Sequence, residues 1–247
     1  MTALSTDYFS EVAARYAAYR PTYPPALVEH LREVTRGDTA WDIGCGSGQL
    51  TIALAAKFDR VIATDPAKAQ LAEAPAHPHV EYRECPAEDS GLVAGSIDLA
   101  VAAQAAHWFD WPRFVREIER VTHDGSIVAL VGYGNSEVDG EAGRAITEFM
   151  EGVAGPYWPA GRAHIINGYR DLVMPWAALE PPAIQMAVEW TRDEFLGYAS
   201  SWSATTRLLR ARGPAELAAF SARLATLWPD GERRRVRWPL LFKLWRR

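Results

Sequence analysis

Along the first half of the chain, apolar residues recur with two alternating periods. At 24–34, Leu27, Val28, Leu31 and Val34 follow a proline at helical spacing, which predicts a helix. Residues 39–43, Thr-Ala-Trp-Asp-Ile, read as a short buried strand that ends in glycines. Residues 50–58 are apolar, alanine-rich and helical. A second strand follows at 60–64, stopped by Asp65-Pro66, then a short helix at 67–73 and a third strand at 80–84. A fourth strand is read at 97–102. Pro112 opens a helix that runs to Val121, and a fifth strand at 126–131 follows the turn His123-Asp124-Gly125.

Strand and helix in strict alternation predict an α/β fold with a parallel sheet covered on both faces. Such sheets bind ligands beyond the carboxyl ends of their strands. After Gly134 the rhythm breaks. A helix, the stretch Gly155-Pro156-Tyr157-Trp158-Pro159 and a loop-rich region fill 137–180. Regularity returns with a strand near 184–190, helices near 193–200 and 215–227, and a last strand near 234–244. Residues 134–180 are therefore read as an insertion over the sheet, within a single domain.

Composition narrows the class. A chain of 247 residues suits one large α/β domain. Its 49% apolar and 23% charged residues are those of an ordinary globular protein. A net charge of −5 argues against nucleic acid as a partner. No apolar run has the length of a membrane span, and residues 1–10 lack a basic segment followed by an apolar one. These features favour a soluble cytoplasmic protein with no membrane partner; a monomer or homodimer is expected, with nothing in the sequence to choose between them. The two cysteines, Cys45 and Cys85, offer neither a disulfide framework nor a metal site. Ten tryptophans are many for this size. They fill a core or line an aromatic pocket.

The candidate chemistry begins at Asp42-Ile43-Gly44-Cys45-Gly46-Ser47-Gly48. A strand turning sharply into a helix presents unpaired backbone N–H groups, and glycines let a ligand approach them. A dinucleotide fingerprint would place its third glycine at position 49, which is Gln49. Asp65, 21 residues beyond Gly44, ends the second strand, where a carboxylate can accept both ribose hydroxyls of a nucleoside. Cys45 needs only to be small. The arginines at 233–235 and Arg237 alternate with Val236 and Trp238, as on the solvated face of a strand.

Residues 41–50 resemble the first motif of the class I S-adenosylmethionine-dependent methyltransferases. The segments at 9–25 and 104–111 (Gln-Ala-Ala-His-Trp-Phe-Asp-Trp), with Ser201-Trp202-Ser203, resemble the type 11 branch that includes trans-aconitate methyltransferase-like enzymes of small-molecule metabolism. The resemblance implies a Rossmann-like, seven-stranded, mostly parallel sheet with helices on both faces and its last strand antiparallel. It divides the chain into an N-terminal lid or helix (1–37), a cofactor-binding core (38–133), a substrate-side insertion (134–180) and a C-terminal part of the sheet (181–247). The implied cofactor is S-adenosyl-L-methionine, leaving as S-adenosyl-L-homocysteine. Gly44 and Gly46 would pack on its methionine part, Asp42 would organise the loop or meet the amino group, and Asp65 would hold the ribose. Pro66 would lie against adenine, with the Ala87 backbone and the Glu88 carboxylate at the adenine edge. Tyr16 and Arg20, beside Tyr23, would belong to a lid near the cofactor carboxylate.

Gln104 to Trp108 follow the fourth strand, beside the reactive methyl. His107 either packs beside Trp108 or orients the acceptor and takes its proton, for which an imidazole is suited. Trp108, Tyr157, Trp158, Arg162, His164, Tyr169 and Trp202 are candidates for an aromatic, cationic acceptor pocket that suits a planar or carboxylate-bearing small molecule. A carboxylate acceptor needs no base, whereas a hydroxyl does. The expected activity is methyl transfer to a small molecule, on a carboxylate or hydroxyl oxygen. The alternatives are an oxidoreductase on a similar sheet and a non-catalytic cofactor-binding or sensor protein.

Overall fold

The computed structural model describes residues 20–247. In chain order its first elements are α1 (Pro25–Val34), β1 (Thr39–Ile43), α2 (Gln49–Ala55), β2 (Arg60–Asp65), α3 (Lys68–Leu71), β3 (Val80–Glu84), β4 (Ile97–Ala103), α4 (Trp111–Val121) and β5 (Thr122–Tyr133). They are followed by α5 (Gly140–Thr147), α6 (Arg162–Ile166), β6 (Ala177–Leu179), β7 (Met186–Trp190), α7 (Arg192–Ser200), α8 (Ser203–Arg212), α9 (Ala215–Leu227), β8 (Arg234–Trp238) and β9 (Leu240–Arg246). The chain forms two compact units.

The larger unit holds Thr22–Gly134, Ala163–Gln185 and Leu240–Arg247. Its seven-stranded sheet has the order β3-β2-β1-β4-β5-β9-β6. Strands β1 to β5 pair in parallel, while β9 runs antiparallel to both β5 and β6. Six strands thus share one direction, and the last strand of the chain opposes them, as expected for the fold. Period-two alternation divides the strands between two cores. Ala40, Leu99, Val101, Ile127 and Ala129 pack with Leu27 and Leu31 of α1 and Leu50 and Leu54 of α2. Trp41, Ile43, Ala100, Ala102, Val128 and Leu130 pack with Phe114, Ile118 and Val121 of α4. Helices cover both faces.

The elements up to β5 lie close to their expected places. β5 starts earlier, because residues 123–126 stay in the strand as a bulge. Gly125 has φ +93°, the His123 N–H donates to Ser126 Oγ at 3.0 Å, and the register with β4 slips between Ile97 and Leu99. The C-terminal expectations need correction. The strand expected at 234–244 is two strands. β8 pairs with β7 in a separate two-stranded sheet, and only β9 enters the large sheet. Pro239 separates them; it has no N–H for a ladder. The strand expected near 184–190 is likewise outside the large sheet, whose edge is the three-residue β6, inside a region read as loops.

The smaller unit contains Asn135–Arg162 and Met186–Pro239. Here the tryptophans largely build a core. Phe195 packs on Trp202 and Trp228, Tyr198 lies edge-on to Trp202 and Trp238, and Phe149 stacks on Phe220 at 4.2 Å. Thr191 and Glu194 form a capping box that starts α7. The arginine run behaves as a solvated strand face: Val236 and Trp238 are buried, and Arg233, Arg234 and Arg237 pair with Glu194, Glu232 and Asp139.

Candidate active site

In the large sheet β1 has β2 on one side and β4 on the other, so the chain reverses its direction of progress between β1 and β4. The loops leaving β1 and β4 therefore open next to each other at the carboxyl edge, the usual ligand position in such sheets.

In the loop after β1 every second residue has left-handed backbone. Gly44, Gly46 and Gly48 have φ of +68°, +55° and +82°. The N–H groups of Gly44 and Cys45 both donate to the Thr64 carbonyl, at 2.8 and 2.9 Å, which ties the loop to β2. Asp65 closes the ring: its carboxylate accepts from Gly46 N–H at 2.9 Å and from Ala67 N–H at 2.8 Å. A Cβ on Gly44 would lie 2.6 Å from Ala105 Cβ, so this glycine lets the loops of β1 and β4 touch. Before the same position on Gly46 the nearest atom is Gln70 Oε1, at 3.8 Å. Pro66 is exposed.

Asp42 lies beneath the loop, 1% exposed, and accepts from the Thr51 hydroxyl at 2.6 Å. Burial, partly offset by Thr51 and reinforced by the charge of Asp65, pushes its carboxyl up to about 7. This geometry fits an organiser of the loop. Burial and the same two acids also push the Cys45 thiol up, which keeps it neutral and unsuited to nucleophilic chemistry. Ala87 is buried, and Glu88 accepts from Asp110 N–H at 2.7 Å, while the Asp110 carboxylate caps α4. Glu88 thereby links the loop after β3 to the start of α4.

At the end of β4, Gln104 adopts a left-handed conformation, φ +55°. Its N–H donates to Val131 O at 2.8 Å, and its amide Nε2 donates to Tyr133 O at 3.2 Å. The remaining amide oxygen, Oε1, is buried with no donor among the described residues. A buried carbonyl in that state has an open place for an N–H or a water. Two residues on, a single 3-10 turn, Ala106–Trp108, carries His107. The His107 ring is 5.0 Å from that of Trp108, and its Nδ1 is 3.4 Å from the Tyr169 hydroxyl. Trp108 is 61% exposed.

The expected acceptor residues divide. In the smaller unit the Arg162 guanidinium stacks on Trp158, 3.5 Å from the ring centroid, and its Nη2 donates to Asn135 Oδ1. Trp158 donates to Met150 O at 3.1 Å and lies 5.9 Å from Trp202, whose indole N–H is buried without an acceptor among the described residues. Desolvation is the largest influence on Arg162 and lowers its pKa. Trp202 itself is a core residue at 3% exposure. Tyr157 is half-buried nearby in sequence, on the turn Gly155–Tyr157. His164 belongs to the larger unit and is bound to Asp171 at 2.5 Å. Tyr169, also in the larger unit, is buried beside His107. Arg20 is half-buried. Tyr16 lies outside the described residues, and Tyr23 sits with its ring 6.3 Å from that of Tyr133. Sequence reasoning missed Gly132 of β5. A Cβ there would be 2.8 Å from the Tyr169 ring and 3.2 Å from Gln104 Oε1.

Comparison with known proteins agrees with this geometry. A family model described as a methyltransferase domain matches residues 41–130. A protein of Dictyostelium discoideum named as a methyltransferase is 32% identical over 212 residues, covering 83% of this chain and 80% of its own. The solved structure of a protein named as a type II methyltransferase from Anaeromyxobacter dehalogenans superposes with a TM-score of 0.85 at 42% identity, covering 93% of this chain and 98% of that one. CRG1 of Saccharomyces cerevisiae, named as an S-adenosylmethionine-dependent methyltransferase, is 28% identical over 131 residues; the match takes in 49% of this chain and 45% of the yeast protein. The cofactor is S-adenosylmethionine. The residues are compatible with it: Gly46 has only Gln70 Oε1, at 3.8 Å, before its missing side chain, an acid ends β2, and the Gln104 amide oxygen has no partner among the described residues. The carboxyl edge of β1 and β4 thus has the loop, the acid and the unmatched acceptor that such a cofactor needs, and the chain belongs to the class I S-adenosylmethionine-dependent methyltransferases.

Proposed function

We propose that this enzyme methylates an oxygen of a small cytoplasmic molecule, a carboxylate or a hydroxyl. The observation that carries the reading is His107 on the turn after β4, three residues beyond Gln104, with its imidazole held against a buried tyrosine hydroxyl. Gly44, Gly46, Asp65, Pro66, Ala87, Glu88 and Gln104 are proposed to bind the cofactor, with Tyr16 and Arg20, and Asp42 to hold the loop. Gln104 Oε1 would take an N–H of the cofactor ammonium, and Asp65 the ribose hydroxyls.

When bound, S-adenosylmethionine supplies a methyl carbon already activated by its sulfonium. The protein's own task is alignment, which can contribute on the order of 7–11 kcal/mol. His107 is proposed to hold the acceptor oxygen by a hydrogen bond, or to take its proton where that oxygen is a hydroxyl. Trp108, Tyr157, Trp158 and Arg162 are proposed to bind the acceptor, whereas Trp202, at 3% exposure, backs Trp158 from the core. Arg162 supports an anionic group there: it has an aromatic face beneath it and an amide partner, with no carboxylate within 4.0 Å among the described residues.

The test is a panel of carboxylic acids, phenols, alcohols and amines assayed with methyl-labelled cofactor. Methyl esters release labelled methanol in alkali, and ethers and methylamines do not. Label confined to amines would refute oxygen as the acceptor atom.

A further inference from the structure

The Tyr169 hydroxyl has a role that the position of His107 alone does not require. Tyr169 is fully buried, yet its backbone is left-handed at φ +56°, a conformation that an aromatic residue rarely adopts. The turn that holds it is closed by Tyr169 N–H donating to His164 O at 2.7 Å and Leu172 N–H donating to Tyr169 O at 3.1 Å. Its ring lies against Gly132, where any side chain would collide with it. Two strict local conditions, a strained tyrosine and a bare strand position, thus converge on placing one hydroxyl.

That hydroxyl faces His107 Nδ1 at 3.4 Å. A buried O–H has one proton and gives it to an acceptor within reach. Nδ1 is the hydrogen-bond partner found for it among the described residues. Burial, and secondarily the neighbouring Tyr133, pushes the Tyr169 phenol well above its usual range, so it keeps its proton at any working pH and remains a donor. We infer that Tyr169 is a positioning residue for His107: its hydroxyl donates to Nδ1 and fixes the neutral imidazole with its proton on Nε2.

The consequence concerns the acceptor, and it rests on the oxygen-methylation reading above. An imidazole that carries its proton on Nε2 and is capped on Nδ1 has no lone pair to offer a substrate. It is a hydrogen-bond donor, not a general base. The acceptor oxygen it serves is then one that arrives ionised, and the substrate class narrows to carboxylic acids. One oxygen of the carboxylate receives the Nε2 hydrogen bond. The attacking carboxylate oxygen gives a lone pair to the methyl carbon as the carbon–sulfur bond breaks, its electron pair passes to sulfur to leave a neutral thioether, and no proton moves.

The experiment is nitrogen NMR on the full chain with labelled histidine, in wild type and Tyr169→Phe, with His107→Gln identifying the His107 signals among the six histidines. In wild type at pH about 8 the expected pattern is an unprotonated Nδ1 and a protonated Nε2. In Tyr169→Phe this preference is lost, while S-adenosylhomocysteine binding stays within about twofold. A wild-type spectrum with the proton on Nδ1, or an unchanged preference in a Tyr169→Phe protein that still binds S-adenosylhomocysteine, overturns the inference. Should Tyr169→Phe fail to fold, the wild-type spectrum decides alone. None of these readouts needs an acceptor, so a panel in which carboxylic acids go unmethylated would overturn the acceptor class without touching the tautomer.

Discussion

Replacing Asp42 with Asn tests the buried acid beneath the glycine loop. In the folded protein its carboxyl titrates near 7 instead of near the ordinary 3.8, chiefly through burial. An acid raised on folding binds its proton more tightly in the native state than in the unfolded chain. Between about pH 4 and pH 7 the native state therefore keeps a proton that the unfolded state has lost, and stability falls as pH rises through this window. Above about 7 the loss is complete and the curve is flat. The gap between the two titration points corresponds to about 4 kcal/mol. That is an upper limit for the gain, because Asn must still receive the Thr51 hydroxyl and place an amide N–H where a carboxylate oxygen lies. A net gain of about 1–3 kcal/mol at pH 8 is expected, several degrees in Tm for a chain this long. Near pH 4.5 the variant should melt level with wild type or below it, because only about 1 kcal/mol of the gap has been lost there while the Asn still carries its own cost. The assay is thermal unfolding of both, without cofactor, from pH 4.5 to 8.5. A Tm difference that does not grow with pH would refute the titration argument. S-adenosylhomocysteine affinity within about tenfold of wild type would support Asp42 as an organiser of the loop, whereas a larger loss would assign it to the cofactor ammonium.

Gly44→Ala combines a left-handed backbone with a contact of 2.6 Å to Ala105; a stability loss of about 1–3 kcal/mol is expected by denaturant titration, with S-adenosylhomocysteine affinity down more than tenfold. Adding Ala105→Gly should restore only part of the stability, since it relieves the contact and leaves φ strained. Glu117, buried in α4, accepts from Ser90 Oγ at 2.5 Å, Ser90 N–H at 2.9 Å and two Arg120 nitrogens. Burial would raise its pKa, but Arg120 and Ser90 prevail and lower it, so its stabilisation holds above the usual carboxylate range and is lost as pH falls through its folded value. Glu117→Gln should cost about 1–3 kcal/mol at pH 7 and flatten the acid side of the stability curve, leaving cofactor affinity unchanged. Arg162→Ala is expected to raise KM for a carboxylate acceptor by about ten- to a hundredfold without changing S-adenosylhomocysteine affinity, which calorimetry and initial rates would check separately.

The cofactor side of this enzyme was legible because its chemistry is local. A strand, three glycines at alternate positions and an acid at the next strand's end lie within residues 42–65, and short-range rules place them. The structure adds why two of the glycines are there: a side chain at Gly44 would meet Ala105 at 2.6 Å, and one at Gly48 would meet the Tyr82 hydroxyl at 2.8 Å. The C-terminal half was harder to read. β6 has three residues, too few for a period, and its ladder among the described residues is with β9. The run at 234–244 alternates well enough to look like one strand, and Pro239 was the available sign that it is two. The tryptophans show the same limit. Composition could not separate a core from a pocket, and the buried ring contacts of Trp202, Trp228 and Trp238 assign them mainly to packing.

The residues that break local rules were the least legible. Among the described residues, Gln104 and Tyr169 are the non-glycine positions with positive φ, and Gly132 is a glycine inside a strand. Separately each contradicts its own neighbourhood, since a glycine weakens a strand and a left-handed tyrosine strains a turn. Together they make one arrangement: Gly132 leaves room for the Tyr169 ring and the Gln104 amide, and the tyrosine hydroxyl reaches His107, 62 residues earlier in the chain. Exceptions that explain one another in space are what a functional site leaves in a fold. A single sequence shows each exception without its partners. Their convergence at the carboxyl end of β4 and β5 is why Gln104, His107 and Tyr169 are read as one device, with the glycine as the condition that lets it close.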